Sequence, residues 1–588
     1  MNNELFNDSK EKFFWLLIVL IFAFCVSYPL FSTTTIVMGH DFTFHLSRLE
    51  GMKESLLGGQ FPVRLTGYTF NNYGETSGFF YPNLFFYIPA LLRILDFSII
   101  TSYNLFCILI NIMTALIAYW SFSKLFNSIR QGAVMTIIYT GFFYRIVDLY
   151  SRSSIGEAIS MIFIPLVISG LWLTLHRSKD YWPAVVIGFT GILQSHIISS
   201  IMIVAAALII IAYSYHESIK NLKALNKIAL FTTLLNLWFY VPFIDLYHKI
   251  HFHMQDIALN NNPHYLSSNV YNFENIITIQ AFCGFAIFFI IFLFIAVNLW
   301  DNFHHKEPRY KINRLFWIML VFGLICSLGA FSRTICHILE AIPIIGKHIS
   351  VLQFSFRLMT FGTIAFSYCA ATALIQMIKN LKYSRAIIIT CCLLIAQTNI
   401  LYLTYASDLT MSRKNIGNDD WRIKSFTIPK DFLNMNGFNL GYQDYIYADI
   451  QMEDLIYDMN QNSWFENIYK SSKIPFDDIR PAEFISNFNK IGMTVKFTAN
   501  VKEQTNFILP LFYYPCYEAY TSTGLELPVS SSDNNHRLTV TVPAGETNIT
   551  VRYADTLLWK IANIISLTGL MAFIFQIYRE YKRRKYIS

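Results

Sequence analysis

The sequence predicts a polytopic α-helical membrane protein of about 12 transmembrane helices, with an extracytoplasmic domain that ends in a small antiparallel β-sandwich. Three observations point there. Of the 588 residues, 54% are hydrophobic and only 14% charged, whereas a soluble chain carries about a quarter charged residues. Apolar runs long enough to cross a bilayer recur along most of the chain. Toward the C-terminal end the pattern changes to strict alternation, the period of a half-buried strand.

The expected spans lie near 13–36, 102–123, 131–149, 156–176, 181–196, 198–214, 228–247, 278–300, 315–334, 356–377, 386–404 and 555–577. The stretch 181–214 is long for one straight helix and short for two, with Gln194-Ser195-His196 as the natural break. No cleavable signal peptide is expected, because the first span is too long and lacks a small-residue cleavage site. Charge bias orders the loops: Lys124 and Arg130, Arg177 and Lys179, Lys220 to Lys227, Lys306 to Arg314, and Lys379 to Arg385 fall in every second loop, so that each loop on one side is basic. With the basic tail from Arg579 to Lys585, this puts both termini in the cytoplasm of a multi-pass plasma-membrane protein. The net charge of +7 follows from these loops, so nucleic acid is not an expected partner. Of nine cysteines only Cys336 and Cys516 fall outside spans, which leaves packed thiols and no disulfide framework.

Two segments remain outside. The first covers 37–101; the second, 405–554, is polar and aromatic at first (Trp421, Tyr442, Tyr445, Tyr447, Trp464) and β-rich over 493–554. Strands are expected at Met493-Thr-Val-Lys-Phe-Thr-Ala, Asn506-Phe-Ile-Leu, Arg537-Leu-Thr-Val-Thr-Val and Thr547-Asn-Ile-Thr-Val-Arg-Tyr, with Pro543-Ala-Gly as a turn. The expected domains are 1–404, a transmembrane core including the outer loop; 405–554, the outer domain; and 555–588, the last span and tail.

Candidate chemistry begins right after the first span, in His40-Asp41-Phe-Thr-Phe-His45-Leu-Ser-Arg48. If 41–57 is helical, Asp41, His45 and Arg48 share a stripe at i, i+4 and i+7. Phe42, Leu46, Leu49 and Leu56 form an adjacent apolar stripe, with Ser47, Glu50 and Glu54 pointing away. The pattern reads as an interfacial amphipathic helix, either merely solvated or holding a hydroxyl beside a lipid phosphate. Four arginines also defy the charge bias at outer span ends: Arg145, Arg152, Arg333 and Arg357. Guanidinium matches phosphate oxygens bidentately; snorkelling, or pairing with Asp148 and Glu157, is the other reading. Glu157 lies five residues after Arg152, as a structural ion pair or a catalytic acid. His196 is placed to donate to a phosphate or to cap a turn, and Gln353 offers a polar binding group. His251-Phe-His253 has no third ligand at a telling spacing and reads as loop histidines.

An acidic residue opening the first outer loop of a chain with many spans resembles the GT-C class of glycosyltransferases, and Asp41-Phe-Thr-Phe-His-Leu-Ser-Arg48 is similar to that class's loop motif. Three further segments resemble the bacterial YfhO-like group and membrane proteins labelled as related to 6-pyruvoyl-tetrahydropterin synthase. They are Arg152-Ser-Ser-Ile-Gly-Glu157-Ala, Leu352-Gln353-Phe-Ser-Phe-Arg357-Leu and Tyr513-Tyr-Pro-Cys-Tyr with Gly524 and Pro543-Ala-Gly. In the second, Ser355 stands where that group has Pro and Phe356 where it has Trp.

The resemblance implies a GT-C-like core and an inverting, polyprenyl-phosphate-sugar-dependent transferase. It would act on a cell-envelope polymer such as teichoic acid or a polysaccharide, or on a glycolipid, at the outer face of a bacterial membrane. Asp41 would be the general base. His45, Arg48, Arg145, Arg152, Glu157, His196, Arg333, Gln353 and Arg357 would bind donor phosphate or substrate; Asp41, Arg152, Glu157, Gln353 and Arg357 follow from the motifs, the rest from topology. The expected partners are the lipid-linked sugar, the acceptor and membrane lipid. No cofactor is demanded, and a divalent metal stays open. A flippase for lipid-linked sugars and a non-catalytic envelope assembly protein are the alternative functions; charges gathered at span ends, without matching halves, favour surface chemistry over transport.

Overall fold

A computed structural model of the chain describes residues 2–31, 35–39, 41–67, 73–255, 273–304, 307, 309–342, 346, 352–379, 386–391, 394, 426–429, 445–450, 480–531 and 536–587. The protein is a mainly helical multi-pass membrane protein with a C-terminal antiparallel sheet region. Among the described residues seven helices are long and apolar enough to cross a membrane: Ile99–Phe126, Ile155–His176, Leu222–Lys249, Ala286–Phe303, Arg314–Phe331, Ser355–Ile378 and Leu557–Arg583. The pair Ile129–Thr140 and Phe143–Ser151, bent by 49°, makes an eighth if it is one span. The stretch expected at 181–214 forms two shorter helices, Trp182–Leu193 and Ile197–Tyr213, broken at Gln194–His196 as read from sequence. Most of the expected span 386–404 and most of 405–479 lie outside the described residues.

The chain divides into two compact units, each assembled from three separated stretches. Unit 1 takes Met1–His40, Phe106–Ala229 and Asn261–Pro429. Its centre is the helix Met359–Ile378, buried along nearly its whole length and packed against Ile129–Thr140, Phe273–Phe303 and Arg314–Phe331. The helices Ile155–His176 and Trp182–Leu193 approach closely at two glycines. A Cβ on Gly188 would lie 2.7 Å from Val167 Cγ2, and one on Gly170 3.0 Å from Val185 Cγ2. Small residues at a crossing let backbones meet where burial of oil against oil gives no drive. Strands β1 (Thr35–Met38) and β2 (Phe426–Pro429) pair antiparallel, Thr35 opposite Pro429.

Unit 2 takes Asp41–Leu105, Leu230–Asn260 and Lys430–Ser588. Its sandwich comprises β3 (Ile485–Ile491), β4 (Thr494–Val501), β5 (Thr505–Phe512), β6 (Tyr517–Thr521), β7 (Glu526–Leu527), β8 (Val529–Ser531), β9 (Arg537–Val542) and β10 (Gly545–Tyr553). One sheet has the order β3-β4-β10-β6-β7 and the other β5-β9-β8. The alternating residues Val495, Phe497, Phe507, Leu509, Leu538, Val540, Ile549 and Val551 are buried in a common core, which is why the period-two pattern was readable. The final helix Leu557–Ile587 packs on the stretch following Leu230 through small groups: Ser566 Oγ donates to Leu234 O at 2.8 Å and accepts from Trp238 N at 2.9 Å. Where the sandwich meets that helix, Arg64 is buried. It donates to Asp555 at 3.3 Å, to Trp238 O at 2.7 Å and to Asn563 Oδ1 at 3.1 Å.

One expectation is corrected here. The helix Phe42–Leu57 is not a solvated interfacial helix, because Phe42 and every described side chain from Phe44 to Met52 is buried, Ser47 and Glu50 included. Glu50 tolerates burial because Arg93 grips both its oxygens, at 2.8 and 3.0 Å, and Lys53 adds a third bond at 2.8 Å.

Candidate functional site

The polar centre of unit 1 is built around Glu157. The helix Phe143–Ile146 widens into a π turn over Val147–Ser151, which carries Tyr144, Arg145 and Asp148 inward. Single π turns of this kind are frequent at functional sites. Ser153 then adopts a left-handed conformation (φ +53°), a costly state for a residue with a Cβ, and Ser154 opens the helix Ile155–His176. Gly39 backs onto this corner so closely that a Cβ there would lie 2.5 Å from Ser153 Oγ and 2.7 Å from the Arg152 carbonyl carbon. Glu157 sits in the first turn of the new helix, where backbone N–H groups favour a carboxylate.

Both carboxylate oxygens of Glu157 are used, though its side chain is 1% exposed. Oε2 accepts from Arg152 Nη1 at 3.0 Å and from Arg357 Nε at 3.3 Å. Oε1 accepts from the Tyr144 hydroxyl and, at 3.4 Å, from Thr360 Oγ1. Arg152 Nη1 is shared with Asp148, and its guanidinium lies 4.5 Å from the centre of the Phe356 ring. Phe356 in turn stacks on Phe354 at 5.1 Å. Arg357 Nη1 donates to Leu352 O at 2.7 Å and to Gln353 Oε1 at 2.8 Å, with Gln353 itself left-handed (φ +60°). Ser355, which stands where the resembled group has Pro, donates to Ala330 O at 2.6 Å and so ties this turn to the helix Arg314–Phe331.

Arg145 lies in the same helical segment, fully buried. It donates to Thr140 O at 3.1 Å, Asn111 Oδ1 at 2.8 Å and Thr114 Oγ1 at 3.0 Å, all neutral acceptors. The buried charges of Arg145, Asp148, Arg152, Glu157 and Arg357 therefore amount to three guanidiniums and two carboxylates. An excess cation in a low-dielectric bundle is costly and is the sign an anionic group would neutralise. His196 caps the helix Ile197–Tyr213, its Nδ1 accepting from Ser199 N at 3.3 Å. Arg333 is exposed at the start of the helix Arg333–Ala341 and makes no hydrogen bond to the Glu157 cluster among the described residues.

Three candidates belong to unit 2. Asp41 is the half-buried N-cap of Phe42–Leu57, and its carboxylate is not spent on capping. Arg48 donates to Tyr81 O (3.3 Å), Pro82 O (3.2 Å) and Asn83 Oδ1 (2.5 Å), with its guanidinium 4.1 Å from the Tyr81 ring centre and 4.3 Å from that of Phe86. Burial draws this guanidinium below its usual pKa, against the pull of Tyr81, Tyr445 and Glu75. His45 Nδ1 lies 3.4 Å from Arg48 Nη1, and the His45 ring packs against Phe86 at 5.4 Å.

No protein-family model matches the chain, and no curated protein matches it. Among solved structures it is similar to the single-particle cryo-EM structure of the arabinofuranosyltransferase AftD from Mycobacteria, at 11% identity and a TM-score of 0.39. That match covers 68% of this chain and 29% of AftD. A mutant of the same enzyme matches at 12% identity and a TM-score of 0.38, over 68% of this chain and 30% of that one. The chain thus spans less than a third of the length of the structures it matches.

Sequence reasoning had not singled out Tyr144, Thr360, Phe354 or Phe356 as site residues. The available signal was adjacency: three of them flank a misplaced arginine, in Phe143-Tyr144-Arg145 and in Phe354-Ser-Phe356-Arg357.

Proposed function

We propose that the chain is a GT-C-type membrane glycosyltransferase. It moves a sugar from a polyprenyl-phosphate donor onto a cell-envelope polymer or glycolipid at the outer face of the plasma membrane, with inversion at the anomeric carbon. The observation that carries this reading is the meeting of Arg152-Ser-Ser-Ile-Gly-Glu157 and Gln353-Phe-Ser-Phe-Arg357 on one carboxylate, although some 200 residues separate them. Those are the segments in which the sequence resembles such enzymes.

In this reading the role of Asp41 comes from the resemblance of its loop motif alone: it takes the proton from the acceptor hydroxyl as the hydroxyl oxygen bonds to the anomeric carbon. The bond from that carbon to the phosphate oxygen breaks, and the electron pair leaves with the polyprenyl phosphate. Arg152 and Arg357 meet that charge, with Gln353 and Glu157 fixing where their guanidiniums point. Arg145 supplies further positive field. The roles of His45, Arg48 and His196 narrow to shaping the surroundings, since His45 lies against Arg48 of its own helix, His196 caps the helix it precedes, and Arg48 holds the turn at Tyr81–Asn83. The sandwich and the loop opening with Asp41 lie outside the cell, and both termini inside.

The test is transfer from a panel of radiolabelled polyprenyl-phosphate sugars in membranes holding wild type or Asp41→Asn. Label moving to envelope polymer or glycolipid with wild type alone supports the reading. Equal transfer by Asp41→Asn removes Asp41 as the base, and label crossing the bilayer without a covalent product points to a flippase.

A further inference from the structure

The first outer segment has an apolar face of its own. Leu84, Ile88, Leu91 and Leu95 recur at i, i+4, i+7 and i+11 along the short helix Leu84–Ile94 and just past its end, and are 40, 40, 54 and 68% exposed. That spacing gathers them into one stripe. The opposite side is fully engaged: Phe86, Pro89 and Ala90 are buried, Tyr87 Oη accepts from Val63 N at 2.8 Å, and Arg93 is gripped by Glu50. Phe61, 76% exposed, flanks this helix, its ring 5.7 Å from that of Tyr87.

Chain connectivity says what covers it. The span Ile99–Phe126 begins five residues after Ile94, so the helix cannot end more than about 18 Å from the end of that span. An uncharged stripe held at that level faces the boundary between headgroups and acyl chains. We propose that Leu84, Ile88, Leu91 and Leu95 are seated in the lipid of the leaflet where the span Ile99–Phe126 begins. The helix lies along the membrane surface. The interfacial role expected from sequence for 41–57 then belongs to 84–95, and the Glu50–Arg93 clasp fixes the helix that opens with Asp41 to a lipid-anchored foot.

Benzoylphenylalanine placed at Leu91, and separately at Ile88, tests this in the full chain reconstituted into vesicles of phosphatidylcholine and phosphatidylglycerol. Exposed Glu526 of the sandwich serves as the control. Irradiation should add the mass of one phospholipid at 88 and 91 and none at 526. Absence of a lipid adduct at both positions overturns the proposal, whether the label is quenched by water or joins a second copy of the chain. The Ile88 variant decides if the Leu91 variant fails to fold.

Discussion

Arg357 Nε lies 3.3 Å from Glu157 Oε2, a carboxylate 200 residues earlier in the chain and already held by Arg152 at 3.0 Å. One oxygen thereby orients two guanidiniums. Replacing it with an amide leaves two buried cations short of their counter-charge. Glu157→Gln should lower stability by about 3–5 kcal/mol, the cost typical of breaking a buried pair. Thermal unfolding in detergent reads the change, and an unmoved midpoint would show the pairing to be idle.

The fork of Arg357 is spent on three acceptors, so its shape matters as much as its charge. Arg357→Ala should raise the donor KM more than the acceptor KM. Arg357→Lys should recover only part of the loss, because an ammonium cannot reproduce the planar geometry. Equal effects on both substrates would mean that Arg357 braces the bundle and leaves the donor alone.

Arg64 and Asp555 form a second buried pair, with side chains 1% and 9% exposed. Arg64→Ala should destabilise unit 2 by about 3–5 kcal/mol through the carboxylate it strands. Adding Asp555→Asn should restore a part, so the double variant falls short of the sum of the singles. Simple additivity would show that the two side chains do not interact.

Glu50 supplies a pH signature. Burial alone would raise its pKa, but hydrogen bonds from Arg93 and Lys53 outweigh it and hold the carboxyl below its ordinary value of 4.5. The folded state therefore prefers the charged form. The stability this contributes is complete above pH 4.5 and is lost as pH falls through the lower folded value. Glu50→Gln should flatten this part of the acid limb in a plot of unfolding midpoint against pH; an unchanged slope would show that another carboxylate sets it.

What could be read from sequence, and what could not, divides along a physical line. Strands such as β9 and β10 were visible because every second residue is apolar, a local signal. β3 was not, since its apolar residues Ile485, Phe488 and Ile491 recur every third position and so break the alternation. Glu50 and Ser47 were placed on the wrong side for a different reason. Their polarity suggested solvent, whereas the partner that makes burial of Glu50 tolerable, Arg93, lies 43 residues away and leaves no mark on local periodicity. Arg152 and Arg357 stood out because charge at an outer span end conflicts with topology, and the five-residue spacing offered Glu157 as a partner for Arg152, but nothing in the sequence said that Arg357, 200 residues on, would share the same carboxylate. Tyr144 and Thr360 complete that carboxylate and carry no charge, so they gave no such conflict to notice.

The distance along the chain between Arg64 and Asp555 has a consequence for biosynthesis. They are 491 residues apart. At ribosomal speeds of about 5–20 residues per second, Arg64 waits roughly 25–100 s before its carboxylate exists. Throughout that interval the early loop can neither close its core nor neutralise its cation. A chain stalled or clipped ahead of the last helix would keep this defect permanently, offering membrane proteases a ready mark of incomplete synthesis.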